Sequence, residues 1–384
     1  MDFALSKNQT LIRKSAREFF EKECPKEKTR SLMKDSIGYD PGMWRKMVDL
    51  GFVGIHIPED FGGMQGEFME LEILMEEMGR SIVPGPYFET VCLCAMALVQ
   101  SGTEVQKRKF LPGIAENGNM WTLALHEKGT WDSFRAIQME ASAKDSGFIL
   151  NGTKLFVPYA KAADHMLVAA RTSSQEDGVT VFIVDTRSVG IQMEEIPTAA
   201  PGIKYEVRFK DVAVSNENCL GAIGGGMAVI DFMIQRGAIL KSAEMAGGAQ
   251  AALEIALKYA KERIQFNKPI GSFQVMQHKL VKMLQEVDGL RNQVREAAWL
   301  VNVGCPSAML SSMAKVKAND VYHRVCFDAV VIHGAIGWTA EMDISLYLLR
   351  SKDLENDCGG SDFHRERIAR GLEICQPDFM AANG

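Results

Sequence analysis

The spacing of apolar positions changes twice along this chain. From residue 1 to about 118 they recur every three or four residues, which predicts helices. Residues 5–33 carry an apolar stripe under dense Lys, Glu and Arg decoration, broken near Pro25. Asp40-Pro41 opens the next helix, with Asp as cap and Pro in the first turn, where its missing N–H is not needed. GFVGIHIPEDFGGMQG reads as an irregular link. Residues 67–79 read as a helix, and Pro84-Gly85-Pro86 breaks the pattern. Residues 87–101 are mostly apolar, so a buried helix is expected, and 105–115 complete the region. From about Met120 the period drops to two. WTLALHE, QMEASAKD, GFILNGTKLFVPYA, DHMLVAART, GVTVFIVDT, GIQMEEI and KYEVRFKDVAVS are strand-like runs parted by Asn, Gly, Asp and Ser, as in an all-β barrel or sandwich. Asn151-Gly152 signals a hairpin turn. After Gly224-Gly225-Gly226 the helical spacing returns. Residues 227–266 read as one long helix with Gly247-Gly248 as a close-packing point. Met276, Leu280, Met283, Val287, Leu290 and Val294 alternate steps of four and three, a bundle seam. Residues 308–333 form another helix, and shorter ones follow. The expected architecture is a multidomain α+β chain. It has a helical domain over 1–118, a β-barrel or sandwich domain over 119–225 and a four-helix-bundle-type domain over 226–384.

One stretch interrupts this order. YAKERIQFNKPIGSFQVMQH, residues 259–278, begins as helix and is then punctuated by Asn267, Pro269 and Gly271. These residues fit poorly inside a helix. A second helix resumes near Phe273. The corner presents Arg263, Gln265, Phe266, Gln274 and His278. Arg offers a planar fork of donors suited to phosphate, and Phe a flat face for a heteroaromatic ring. Spacing alone describes an ordinary helix–loop–helix.

Composition narrows the classes. The 384 residues suffice for two or three domains, and 47% hydrophobic with 24% charged residues is a soluble globular profile. A net charge of −6 argues against general nucleic-acid or acidic-membrane binding. No apolar run of about 18 residues predicts a membrane span, and the N-terminus lacks the pattern of a signal peptide. Eight scattered cysteines fit no common zinc spacing and read as mostly buried, reduced thiols of a cytoplasmic protein. No Gly-x-Gly-x-x-Gly follows a strand, so a nicotinamide-type Rossmann domain is not expected.

Four segments stand out together: the corner, Leu125-His126-Glu127 with Trp131-Asp132-Ser133, NGTKLFV from Asn151, and HGAIGWT from His333. With the helix–β–helix order they resemble the acyl-CoA dehydrogenase family of flavoproteins over nearly the whole chain. The most specific parts are YAxxRxQFxxPIxxFQxxxH and NGTKxFV. The resemblance implies FAD as cofactor and a tetramer, of one chain or of two. It implies that Arg263, Gln265, Phe266 and Gln274 grip the adenylate and pyrophosphate end across a subunit interface, where Gly334 and Gly337 allow close approach. It places Leu125, His126, Asp132, Phe156 and Pro158 around the isoalloxazine ring. The implied reaction is α,β-desaturation of an acyl-CoA thioester. A carboxylate takes the α-proton, the β-hydride passes to flavin, and electrons leave to an electron-transferring flavoprotein.

The chain departs from that pattern at the base. The usual Glu slot, counted from Arg350, falls on Gly359, and a second slot in the long central helix falls on Gln235, before Arg236. Neither residue is a general base. Two other acids are candidates, Glu89 at the start of the apolar helix and Asp357 two residues from the usual slot. A carboxylate in an apolar setting gains a higher pKa, closer to that of a useful base. Gly359-Gly360 suggests a widened pocket for a bulky, cyclic or aromatic acyl group, and Arg236 reads either as a partner for a dicarboxylic one or as a structural arginine of the family. The alternatives are a base-lacking subunit of a heteromeric dehydrogenase, or a flavoprotein of the same fold doing different work, such as a reductase or oxygenase.

Overall fold

The computed structural model describes residues 5–129, 134, 136–175, 178–199 and 202–375. The N-terminal helices are α1 (Lys7–Glu23), α2 (Lys26–Leu32), α3 (Pro41–Asp49), α4 (Phe68–Ser81), α5 (Met96–Ser101) and α6 (Glu104–Ala115). Asp40 caps α3 as expected, accepting from the N–H groups of Gly42 and Met43. The run expected as a plain buried helix differs. It begins as a π-helix, Phe88–Ala95, and only then becomes α5. Its residues are buried on every side, so no polar face marks the helical period in the sequence.

Eight strands follow: β1 (Trp121–Ala124), β2 (Glu140–Lys144), β3 (Gly147–Pro158), β4 (His165–Arg171), β5 (Val179–Asp185), β6 (Ile191–Ile196), β7 (Lys204–Ser215) and β8 (Cys219–Leu220). They make one sheet in the order β6-β7-β3-β2-β4-β5-β8, with β1 parallel to β4. Its core gathers Phe148, Leu150, Val157, Met166, Phe182, Tyr205 and Val207. Asn151-Gly152 is not a hairpin turn. Both residues lie inside β3, at a register shift against β7. The Asn151 side chain is spent on Asp211. Gly152 has φ +149, and a Cβ there would stand 2.8 Å from Met139 Cγ. The glycine serves a bulge rather than a turn.

The rest is helical: α7 (Gly226–Glu262), α8 (Gln274–Asn302), α9 (Ala308–His333), α10 (Asp343–Asp353) and α11 (Ser361–Cys375). Between α7 and α8 lies a small ribbon of β9 (Ile264–Gln265) and β10 (Lys268–Pro269), so the long helix ends four residues before Phe266. The α8 seam is buried at Met283, Val287, Leu290 and Val294. Gly247 is a close-packing point: a Cβ there would stand 1.8 Å from the Glu76 carbonyl oxygen.

By contacts the chain divides into two compact units. One comprises Met1–Thr29, Phe68–Val83 and Ala238–Gly384; the other Arg30–Glu67 and Pro84–Gly237. The sheet and the π-helix belong to the second. The ribbon, α8 and α9 belong to the first. No helix among the described residues is long and apolar enough to cross a membrane.

Candidate functional site

In the sheet unit, the candidate residues sit on β3 and just beyond β1. Inward positions of β3 alternate through Phe148, Leu150 and Lys154, and the phase then slips so that Val157 is buried instead of Phe156. The slip coincides with a register shift against β7 and with a left-handed Phe156, φ +54. Such a conformation is costly for an aromatic residue and marks a built irregularity. Phe156 and Pro158 are half-buried there. The Thr122 hydroxyl donates to the Pro158 carbonyl at 2.5 Å, and the Leu155 N–H donates to the His126 carbonyl at 2.8 Å. Leu125 is buried, and the half-buried His126 ring lies 5.3 Å from that of Phe134. The structure thus brings Leu125, His126, Phe156 and Pro158 together. Asp132 lies outside the described residues.

Glu89 belongs to the same unit. It is 9% exposed on the π-helix. Its neighbour Thr90 bonds β1 in both directions: Oγ1 accepts from Trp121 N at 2.9 Å and donates to Trp121 O at 3.0 Å. The Cys94 thiol donates to Thr122 O at 3.3 Å, and its pKa is raised, first by burial and then by the Glu89 charge. Glu89 is therefore carried on a helix fastened to the strand that leads into Leu125-His126. Arg236, in the first turns of α7, is half-buried. Its guanidinium stacks 4.4 Å from the Phe232 ring centroid and reaches Gln235 Oε1 at 3.4 Å. Among the described residues it meets no carboxylate, and burial pushes its pKa down. A half-buried cation without a counter-charge is suited to an anionic guest.

In the other unit, the corner is a two-residue hairpin. Phe266 and Asn267 have φ +52 and +64, the left-handed pair of a tight turn between β9 and β10. Arg263 N–H continues the helix ladder to Tyr259 O, while Arg263 O accepts from Ile270 N–H, both at 2.8 Å. Arg263, Gln265, Phe266 and Gln274 are all exposed, Phe266 to 86%. Tyr259 stacks on buried His333 at 4.3 Å, which ties the end of α7 to the end of α9. The two glycines there differ. Gly334 has φ +70, and nothing lies within 4 Å of where its Cβ would stand. A Cβ on Gly337 would stand 2.8 Å from Val330 O, so its smallness serves the chain's own packing.

The usual base slot is a braced loop in this unit. Lys315, fully buried, donates to the carbonyls of Leu354 and Glu355, both at 2.9 Å. His364 is neutral, its pKa driven by burial down to about 3. Its Nε2–H donates to Cys358 O at 3.1 Å, while Nδ1 accepts from Ser312. Asp357 pairs with buried Lys241 at 3.3 Å. Gly359 has φ +108, and a Cβ on it would lie 2.4 Å from the Phe363 ring. The room left by the missing side chain is taken by Phe363, so Gly359 does not open a wider pocket. Asp357 and Gly359 thus share one loop. Lys154 and Glu127, which no sequence motif marks as functional, form a buried ion pair at 2.6 Å, with Lys154 also donating to the Leu125 carbonyl. The period of β3 carried the signal, since it turns Lys154 inward with Phe148 and Leu150.

Comparison with known proteins decides the family. The N-terminal, middle and C-terminal domain models of acyl-CoA dehydrogenase match residues 6–118, 122–212 and 224–373. The chain belongs to the acyl-CoA dehydrogenase family. The CarC subunit of the caffeyl-CoA reductase–Etf complex of Acetobacterium woodii is 33% identical over 88% of this chain and 91% of that protein. The structure of butyryl-CoA dehydrogenase from Megasphaera elsdenii superposes with a TM-score of 0.91, at 30% identity over 97% of this chain and 100% of that one. A chain of the ChsE4–ChsE5 complex from Mycobacterium tuberculosis gives 0.89, at 27% identity over 98% of this chain and 99% of that one.

As a member of this acyl-CoA dehydrogenase family, the chain is an FAD-dependent oxidoreductase acting on acyl-CoA. Its residues fit that cofactor in each unit. Exposed Arg263 offers a donor fork for phosphate, Phe266 an open ring face, and Gly334 an unobstructed backbone. Bound flavin would supply the two-electron redox chemistry, and the protein would bind and orient it.

Proposed function

We propose that this chain carries out α,β-desaturation of an acyl-CoA thioester, with Glu89 as the acceptor of the α-proton and an electron-transferring flavoprotein as redox partner. The observation that carries the reading is the placement of Glu89. It is a carboxylate nine-tenths buried, on a π-helix hydrogen-bonded to the strand that continues into Leu125 and His126. A carboxylate held in place in this way can take a proton from a substrate within hydrogen-bond reach. Asp357 is the weaker candidate because Lys241 already holds its charge. Arg236, without a carboxylate partner among the described residues, supports an acyl group bearing a second anionic end; bulky, cyclic and aromatic groups are the other candidates. The likeness to a subunit of a reductase–Etf complex supports the redox partner. The cofactor contacts we assign are Leu125, His126, Phe156 and Pro158 at the ring, and Arg263, Gln265, Phe266, Gln274 and Gly334 at the phosphate and adenylate end of a neighbouring copy's FAD in a tetramer.

A second reading is that the chain is the base-lacking partner in a two-chain dehydrogenase. It is favoured by the occupied slot at Gly359 and by the likeness to a chain of a two-protein complex. Anaerobic titration of the purified chain with dicarboxyl, cyclic, aryl and short linear acyl-CoAs separates the readings. Bleaching of the flavin by one class supports the first. A yellow chain that no CoA ester reduces, and that gains activity only with a second chain, supports the second and contradicts the first.

A further inference from the structure

Lys154 is 0% exposed inside the sheet. A lysine there costs its hydration, and burial pulls its pKa down to about 8 even with a carboxylate beside it. Its ammonium donates to Leu125 O at 3.2 Å and to Glu127 Oε1 at 2.6 Å. Glu127 is itself committed: its carboxylate accepts from the N–H groups of Gln138, at 2.8 Å, and Met139, at 3.1 and 3.2 Å. The next residue of β3, Leu155, donates its N–H to His126 O at 2.8 Å. Two consecutive carbonyls, those of Leu125 and His126, are therefore held by two consecutive residues of β3. Directly afterwards β3 leaves its register with β7, and Phe156 turns left-handed.

Stability does not explain this arrangement. Well-packed apolar residues in place of a buried ion pair often leave a protein as stable or more so. Direction does explain it. An ammonium reaching both a backbone carbonyl and a committed carboxylate fixes the path of 125–127 relative to 155–158, which apolar packing alone does with less angular precision.

We propose that Lys154 and Glu127 are positioning residues for the flavin, locking the segment of Leu125 and His126 to the bulge of Phe156 and Pro158 so that both meet the ring in one fixed geometry. The proposal rests on the ring-side contacts assigned above. It is independent of which acid takes the proton.

The test uses the double variant Lys154→Met/Glu127→Gln, which leaves no unpaired buried charge, in the deflavinated full-length protein. FAD is titrated back while its fluorescence and visible spectrum are followed, with circular dichroism as the folding control. A folded double variant is expected to bind FAD at least about tenfold more weakly and to lose structure in the visible flavin band, because the ring-side segments are no longer held. The wild type is expected to release FAD more readily as pH rises through about 8, since Lys154 then loses its proton and with it the charge-assisted bond to Glu127, the charged group facing it. That pH dependence should be flat in the double variant. Wild-type affinity, spectrum and pH profile in the folded double variant would overturn the proposal. If the double variant does not fold, Lys154→Gln/Glu127→Gln, which also leaves no buried charge, is read in the same titration. Weaker binding with a lost pH dependence supports the pair, and unchanged values overturn it. A wild-type chain that takes up no FAD overturns the cofactor assignment and this proposal with it.

Discussion

The ammonium of Lys241, 2% exposed in α7, stands 3.3 Å from Oδ2 of Asp357 and 2.8 Å from Oε2 of Glu244. Glu244 in turn takes Arg350 at 2.6 Å. The acid nearest the usual base slot is thus one end of a structural chain of charges. Its side chain is 28% exposed, and Lys241 keeps Glu244 if Asp357 is neutralised. Asp357→Asn should therefore cost only about 1 kcal/mol, well below the loss of a sole buried partner. Flavin reduction by substrate should stay within about tenfold of wild type, since Glu89 and not this acid is the proposed proton acceptor. Thermal melts and anaerobic stopped-flow check both numbers.

Restoring an acid at Gly359 should fail. Its backbone is at φ +108, and the Phe363 ring occupies the place of the new side chain. Gly359→Glu is expected to destabilise by at least about 2 kcal/mol, through the strained backbone and the displaced ring. No gain in flavin reduction should accompany it. A stable variant with faster reduction would show that the slot is open.

The buried pair Glu72 and Glu76 sets a pH dependence of stability. Among the described residues Glu72 Oε2 has no hydrogen bond, while Glu76 takes Arg291 at 2.8 Å. Burial, then the Glu76 charge, raises the Glu72 pKa from 4.5 to about 8 against the pull of Arg295, Arg291 and Arg13. Between those values the folded chain holds a proton that the unfolded chain has lost, so this group's contribution falls as pH rises from about 4.5 to about 8. Glu72→Gln should leave stability near that of wild type at pH 4.5 and raise it by a few kcal/mol, roughly 2 to 4, at pH 9. Melting curves across that range decide. Equal losses of stability in both proteins would contradict it.

Phe266 trades backbone strain for an exposed ring. Its left-handed φ of +52 suits glycine. In Phe266→Gly the relief and the added freedom of the unfolded chain offset at about 1 kcal/mol each, so the melting temperature should barely move. FAD affinity should nonetheless fall by about tenfold with the lost ring face. Melting and FAD titration together separate a turn residue from a cofactor contact.

Much of this was legible in the sequence because it rests on period and punctuation. Met283, Val287, Leu290 and Val294 are buried as their spacing requires, and Asn267 with Pro269 marks the corner between α7 and α8. What the pattern hid depends on partners distant in the chain. Asn151-Gly152 has the chemistry of a turn, but Asp211 and Met139 decide that it is a bulge. FETVCLCA is buried on all sides, so no polar face reveals its π-helical period. Lys154 lies within NGTKLFV, yet its partners Leu125 and Glu127 meet it only in the fold. The pairing of Asp357 with Lys241, more than a hundred residues earlier, likewise appears only in the fold.

Glu89 is the proposed acceptor of the α-proton. This role is tested most directly by the rate of anaerobic flavin reduction in Glu89→Gln, mixed in stopped flow with the CoA ester that bleaches the wild type. Loss of a positioned general base predicts a fall of about two to four powers of ten with the flavin still bound. A rate within a few-fold of wild type would show that the proton goes elsewhere.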